Sequence, residues 1–383
     1  MEVYITNLAS FLPGKPVDND SMEGVLGLVG GKPSRARRLV LRSNGITSRH
    51  YVVDPATGQA THSNAQLAAE AIRGLKKEGF SLDEIECLAC GTTMSDQLMP
   101  NHASMVHGEL KIPPCEVVSP GGVCLSSLTA LKYAYLGIKS GEFKKAVACG
   151  SEIPSTLMRA KYYQEELDAQ IEALEARPEI AFEKDFLRWM LSDGAGAALV
   201  EPNPAPKGLS LRIDWIIERS YANEQAACMY SGAVKQEDGS LKGWVSFEPQ
   251  EWLDHSVFAI KQDVKQLNEH IMPYTVERGM KDVLKKHPDL KPEQVDWFLP
   301  HYSSHYFRER AYTSLKAANF EIPYEKWFTN LATKGNTGSA SIYIILDELF
   351  KSGKLKAGQR LLCYVPESGR FNTGFMHLTV VSA

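Results

Sequence analysis

A unit made of a loop, an apolar helix, Lys-Ser-Gly and a strand occurs twice in this chain, and that repetition constrains the fold more than any other feature. Fifteen residues after Cys124, an apolar helical stretch reaches Lys139-Ser-Gly-Glu-Phe-Lys-Lys145, followed by the strand-like Ala146-Val-Ala-Cys-Gly150. Fifteen residues after Asn336, a second stretch reaches Lys351-Ser-Gly-Lys-Leu-Lys356, followed by the strand-like Arg360-Leu-Leu-Cys-Tyr-Val365. Lysine, a small residue and glycine also end many unrelated surface helices. Three matching features at one spacing nevertheless read as a duplicated half-domain, for which self-similarity is the signature. Folded around a pseudo-two-fold axis, such halves set Cys124 and Asn336 at equivalent helix starts. With 383 residues the chain exceeds the usual size of a single core. Three prolines in Glu201-Pro-Asn-Pro-Ala-Pro-Lys-Gly208 interrupt any regular element, which places the seam there and gives halves of residues 1–204 and 205–383.

Short apolar runs alternate with helical patterns along the chain. Strands are expected at Val3–Thr6, Ile85–Cys90, Glu116–Val118, Ala146–Cys149, Ala195–Val200, Leu211–Ile217, Asp296–Leu299, Leu361–Val365 and Met376–Val381. Helices are expected at Asn64–Glu78, Leu125–Lys139, Val257–His270, Val276–Lys286 and Ala340–Lys351. Such alternation predicts an α/β fold with largely parallel sheets covered by helices. The stretch from Arg159 to Arg188 is charged and helix-prone, with leucine and isoleucine at helical spacing, and reads as an amphipathic insertion in the first half.

The formal charge of −4 gives no electrostatic case for nucleic acid. Seven cysteines lie scattered without paired CxxC or Cys/His spacing, so neither a zinc site nor a disulfide framework is expected. Met1-Glu-Val-Tyr-Ile-Thr6 lacks the basic and apolar regions of a secretory leader, and no apolar run is long enough to span a bilayer. The expectation is a reduced, cytoplasmic protein without nucleic-acid or membrane partners.

Three residues suggest chemistry. Cys124 lies in Ser119-Pro-Gly-Gly-Val-Cys-Leu-Ser-Ser-Leu128, where a glycine pair permits a sharp turn into an apolar helix. A helix start carries positive partial charge and unpaired N–H groups, so it favours a thiolate and can receive an oxyanion. A small buried hydrophobe is the competing reading. His301 follows Asp296-Trp-Phe-Leu-Pro300, at the end of a buried strand, the usual address of catalytic groups in α/β folds. His305 lies four residues on, and His102 and His107 are expected on a helix packed near the site. Asn336 sits in the glycine-bounded Lys334-Gly-Asn-Thr-Gly-Ser-Ala-Ser341, which also reads as a turn or a helix cap. Together, a thiolate can accept an acyl group, while imidazole and a carboxamide can hydrogen-bond an enolate or thioester oxygen.

Read in order, Gly91-Thr-Thr, Cys124 before a helix, Ser192-Asp-Gly-Ala-Gly-Ala-Ala-Leu-Val200, Pro300-His301, Gly335-Asn-Thr-Gly-Ser-Ala-Ser341 and Ser368-Gly-Arg-Phe-Asn-Thr-Gly374 resemble the β-ketoacyl-acyl-carrier-protein synthase III family of thiolase-fold condensing enzymes. The resemblance spans nearly the whole chain. It implies a five-layered αβαβα fold of two similar halves, a homodimer, Cys124 as the acyl-accepting nucleophile, and His301 with Asn336 as the polarising pair. It further implies an oxyanion hole from the backbone N–H groups of Cys124 and Gly369, with no metal or redox cofactor. Substrates would arrive on phosphopantetheine, borne by an acyl carrier protein or CoA. Arg38, Arg42, Arg308 and Arg310 are the basic residues placed to meet an acidic carrier, although each also reads as an ordinary surface arginine.

Departures from the family pattern sharpen the expectation. Where acetyl-CoA-using initiators resemble one another in a Trp-Ile-x-x-Arg-Thr-Gly-Ile stretch, this chain has Arg37-Arg-Leu-Val-Leu-Arg-Ser-Asn-Gly-Ile46, without the tryptophan that stacks on adenine. That favours carrier-bound substrates. The late glycine run is altered to Ser368-Gly-Arg370, and the histidine loop reads His301-Tyr-Ser-Ser-His305. Leu12-Pro-Gly-Lys-Pro-Val-Asp-Asn-Asp20 and Gly30-Gly-Lys-Pro-Ser-Arg-Ala-Arg-Arg38 look similar to ketosynthases that form dialkylresorcinols and bacterial stilbenes. That branch joins a β-ketoacyl unit to an unsaturated acyl unit and cyclises the product to a cyclohexanedione. The alternatives are a fatty-acid chain-initiating synthase, acyl transfer to an oxygen or nitrogen acceptor, against which Asn336 argues, and a non-catalytic acyl-binding protein, against which Cys124 argues.

Overall fold

The computed structural model describes residues 1–34, 37–162 and 187–383. Residues 163–186 of the expected insertion lie outside the described residues.

A nine-stranded mixed sheet forms the frame. Its strands are β1 (Tyr4–Phe11), β2 (Cys87–Gly91), β3 (Glu116–Val118), β4 (Ala146–Glu152), β5 (Gly194–Glu201), β6 (Leu209–Ser220), β7 (Trp297–Pro300), β8 (Arg360–Glu367) and β9 (Asn372–Ser382). Their order across the sheet is β7-β8-β9-β6-β1-β5-β4-β2-β3. Outward from β1 the pairings run antiparallel to β5, antiparallel to β4, parallel to β2 and parallel to β3. Outward from β6 they run antiparallel to β9, antiparallel to β8 and parallel to β7, and a single parallel bridge from Phe298 to Trp327 stands where a fifth strand would be. The two sequences of pairings are the same, and β1 joins β6 antiparallel at the centre. The repeat read from the sequence is therefore a repeat of topology. The expectation of largely parallel sheets is corrected: three of the eight pairings are parallel and five antiparallel. Apolar runs of buried strands look alike in both arrangements, so composition did not separate them.

Alternation along the strands distributes side chains to three packed cores. In β4, Ala146 and Ala148 face one core while Val147 and Cys149 face another; in β8, Leu361, Cys363 and Val365 part from Leu362 and Tyr364 in the same way. The shared middle core holds two helices, Ser126–Ser140 and Ser341–Lys351. Helices Asn64–Arg73 and His102–Leu110 cover the outer face of the first half. Helices Val264–Met272, Gly279–Lys286 and Arg308–Ala317 cover that of the second. In chain order, with Arg37–Asn44 as α1, these are α2 (Asn64–Arg73), α3 (His102–Leu110), α4 (Ser126–Ser140), α5 (Val264–Met272), α6 (Gly279–Lys286), α7 (Arg308–Ala317) and α8 (Ser341–Lys351). The five layers are thus α2/α3, half-sheet, α4/α8, half-sheet, α5/α6/α7.

Helix α8 is apolar nearly all round, which suits burial on most sides, whereas α4 leaves Tyr133 and Leu136 exposed. In α8, Ile342, Tyr343, Ile344, Ile345, Leu346 and Leu349 are all 2% exposed or less, each aliphatic one worth about 1.5–3 kcal/mol of burial. The glycine of each Lys-Ser-Gly reverses the chain. Gly141 and Gly353 lie at φ 85° and 74°, the left-handed conformation that ends a helix without a Cβ penalty. One helix begins later than expected. Residues 257–263 are not helical, because the Asp263 side chain accepts from the Gln266 N–H and caps α5 at Val264. Among the described residues no helix is long and apolar enough to cross a membrane, and none of the seven cysteines forms a disulfide.

Candidate active site

Cys124 lies in the turn two residues before α4, just after Gly122, whose φ of 151° favours glycine. His301 follows β7 directly, and its backbone N–H continues the ladder by donating to the Tyr364 carbonyl at 2.8 Å. Asn336 is stitched to the segment before β5: its N–H donates to the Met190 carbonyl at 2.9 Å, and its carbonyl accepts from Ser192 N–H at 2.8 Å. The Asn336 side-chain oxygen accepts from the Gly338 N–H at 3.0 Å. That bond engages the oxygen, so the amide N–H groups are the donors that Asn336 can offer to a ligand.

These three residues, distant in sequence, line one cavity of about 590 Å³. Its remaining wall is largely apolar, with Met94, Leu157, Leu187, Met190, Leu267 and Met272 among the contributors. The helix starts that carry Cys124 and Asn336 meet closely: the Ser127 hydroxyl donates to the Ser339 carbonyl, and the Tyr343 hydroxyl donates to the Ser127 carbonyl at 2.8 Å. A glycine permits that approach, since a Cβ on Gly150 would lie 2.6 Å from the Ser339 carbonyl oxygen and 2.7 Å from Ser127 Cβ.

Burial holds His301 at a pKa of about 4, so its imidazole is neutral near pH 7. It is a hydrogen-bonding group there rather than a fixed charge. The Cys124 thiol is pushed up, first by burial, then by the Glu367 and Glu152 carboxylates. The expectation that a helix start would favour the thiolate is corrected. Two of the N–H groups at that start are already taken, because the Glu367 carboxylate accepts from Val123 at 2.8 Å and from Leu125 at 3.2 Å on the same oxygen.

Glu152 and Glu367 were not singled out from sequence. Each ends an apolar strand, β4 or β8, at equivalent places in the two halves. Each reaches across to the other half's central helix: Glu367 takes N–H groups before α4, and Glu152 takes the Ser339 N–H at 3.1 Å before α8. Glu152 also accepts from the Thr93 N–H at 2.9 Å and lines the cavity. The available signal was a carboxylate closing a strand buried along its length, since such a group must find donors.

The other expected site residues fall as follows. Gly369 lies against the nucleophile turn, where a Cβ would come 3.0 Å from Val123 Cγ2, and the adjoining Ser368 lines the cavity. His102 is buried on α3 and bonds the Ser151 hydroxyl at 3.0 Å, and neither it nor His107 lines the cavity. His305 packs on Gly45, so close that a Cβ there would meet its ring. Arg38 and Arg42 are exposed on α1, which packs against the turn His305–Phe307 that leads to Arg308 and Arg310. Arg308 lies over the Tyr324 ring at 4.2 Å and Arg310 over Tyr306 at 4.3 Å. Among the described residues no group of three or more His, Cys, Asp or Glu is arranged to hold a metal ion.

Residues 285–370 match the family described as 3-oxoacyl-[acyl-carrier-protein (ACP)] synthase III C terminal. A β-ketoacyl-[acyl-carrier-protein] synthase III of Koribacter versatilis is 25% identical over 373 residues, covering 97% of this chain and 95% of its own length. The family match falls on the second half alone, and along nearly its whole length the chain is similar to enzymes of the acyltransferase class. A second relative in this family, from Xanthomonas oryzae pv. oryzae, is 25% identical over 94% of this chain and 92% of its own. Solved structures share the fold. AbyA1, a tetronic acid condensing enzyme, superposes with a TM-score of 0.73 at 20% identity, covering 98% of this chain and 99% of its own. The Aquifex aeolicus 3-oxoacyl-ACP synthase III gives 0.68 at 21% identity with the same coverage. Xanthomonas campestris OleA, solved with lauric acid and lauroyl-CoA, gives 0.71 at 18% identity, covering 99% of each chain.

Proposed function

We propose that this synthase III-like enzyme forms carbon–carbon bonds between acyl thioesters through an acyl group carried on Cys124. The observation that carries the reading is the convergence of Cys124, neutral His301 and Asn336 on one largely apolar cavity. In the first stage the Cys124 sulfur attacks an acyl thioester and releases the carrier thiol. The tetrahedral oxyanion is held by the N–H of Cys124 and that of Gly369. In the second stage a donor thioester enters and becomes an enolate by loss of carbon dioxide, where it carries a β-carboxylate, or of an α-proton to solvent; the enolate oxygen is stabilised by His301 and the Asn336 amide. The enolate carbon attacks the Cys124 thioester carbonyl, the new carbon–carbon bond replaces the carbon–sulfur bond, and the Cys124 thiolate that leaves takes up a proton.

The departures at Ser368-Gly-Arg370 and in the missing tryptophan support carrier-borne acyl groups larger than acetyl, as does the apolar wall. We place the enzyme with ketosynthases that join a β-ketoacyl unit to an unsaturated acyl unit and cyclise the product to a cyclohexanedione. An acyl carrier protein would dock on the surface bearing Arg38, Arg42 and Arg308. A homodimer would cover Leu98 and Met99, which are 74% and 81% exposed beside the cavity-lining Met94–Asp96. Chain initiation is the second reading, favoured by the activity for which the relatives are named.

The test is intact-mass spectrometry with a panel of acyl carrier thioesters, repeated on Cys124→Ala, followed by product analysis with paired donors. An adduct that persists without Cys124 refutes the nucleophile assignment. A cyclised six-membered diketone is required for the specialised reading; a linear β-ketoacyl product alone returns the enzyme to chain initiation or extension.

A further inference from the structure

Glu367 immediately precedes the altered run Ser368-Gly-Arg370, and it is 3% exposed. One of its oxygens accepts the N–H groups of Val123 and Leu125, the residues on either side of Cys124. The other accepts from the Asn372 amide at 2.6 Å, which fixes the carboxylate in place. A Cβ on Gly122 would lie 3.2 Å from the first oxygen, so the glycine admits the carboxylate under the turn. The same oxygen takes the N–H groups on either side of Cys124 and not that of Cys124 itself. A carbonyl bonded to the Cys124 sulfur needs a donor at that place.

We propose that Glu367 is a positioning residue for acyl transfer: it clamps the N–H groups flanking Cys124, leaves the Cys124 N–H for the acyl oxygen, and sets a carboxylate rather than a neutral acceptor under the nucleophile turn. The proposal rests on the reading of Cys124 as acyl acceptor. Its consequence is a nucleophile that is subdued toward small electrophiles but well placed for a bound thioester. A clamp alone would be an ordinary helix cap. The charge and the reserved donor distinguish the proposal, because they act oppositely on two reagents.

The experiment compares alkylation of Cys124 by iodoacetamide, followed by peptide mapping across pH, with acylation by a carrier thioester followed by intact mass. Glu367→Gln keeps an acceptor oxygen and removes the charge. Its alkylation profile is expected to move to lower pH, with a rate at pH 7.5 about tenfold above wild type. Glu367→Ala removes the clamp as well, and its acylation is expected to fall about 100-fold while alkylation is not slowed. A purely structural role would slow both reagents together and leave the alkylation midpoint in place; either result overturns the proposal. Should the alanine variant fail to fold, the midpoint of Glu367→Gln decides. If no thioester acylates the wild-type enzyme, the proposed function fails, and the alkylation arm still settles the role of Glu367.

Discussion

Gly150→Ala would place one methyl where the two halves meet. A Cβ at Gly150 lies 2.6 Å from the Ser339 carbonyl oxygen and 2.7 Å from Ser127 Cβ. The carbonyl is backbone and already accepts the Ser127 hydroxyl, so it cannot swing aside as a side-chain end would. Relief needs a displacement of about 0.4 Å or more at this point, which for an overpacked core corresponds to roughly 1–3 kcal/mol. Ser339 is three residues beyond Asn336, and Ser127 is three beyond Cys124. The wedge therefore pushes apart the elements that carry the nucleophile and the amide. A misplacement approaching 1 Å costs about 100-fold in rate, so condensation is expected to fall between tenfold and 100-fold. Urea denaturation and single-turnover product formation measure the two effects. The control is Gly108→Ala in α3, with nothing within 4 Å of its Cβ, which should be neutral or stabilising by up to about 1 kcal/mol. A Gly150→Ala enzyme within about 0.5 kcal/mol of wild type and with undiminished condensation would refute the argument that close approach at this glycine sets the site.

Asn336→Ala removes the amide donors and the bond to Gly338 N–H; acyl-Cys124 should accumulate while condensation falls about 100- to 1,000-fold, read by intact mass and product yield. His301 has a folded pKa of about 4 against an ordinary 6.5, so the unfolded chain binds the proton more readily. Stability is then unaffected by this group above pH 6.5 and is lost as pH falls from 6.5 toward 4, by about 3 kcal/mol in all. His102, likewise near 4, contributes in the same window, so His301→Gln should flatten only part of the slope of urea midpoint against pH. Leu267→Trp, on α5 and in the cavity wall, should shorten the longest acyl chain loaded on Cys124, measured across a chain-length series.

The duplication was legible because each copy ends its central helix with a glycine that must be left-handed, Gly141 and Gly353, and such a residue marks its place whatever the packing. His301 was legible from the strand that precedes it. The strand directions were not, because Val, Leu and Ala fill buried strands whichever way their neighbours run. The fifth strand of the second half was missed because it is a single bridge at Trp327. Glu152 and Glu367 were missed for a different reason: a carboxylate at a strand end is usually solvated, and only the fold shows that their donors come from the opposite half. The helix-start argument at Cys124 erred on the same account, since it counted N–H groups as free that Glu367 occupies.

The crossed placement of Glu152 and Glu367 bears on how the chain comes to exist at all. Neither half finishes its own central helix; each waits for an acceptor that the other supplies. A chain stopping after β5 would hold the start of α4 without the acceptor that Glu367 supplies, and Glu152 without the Ser339 donor.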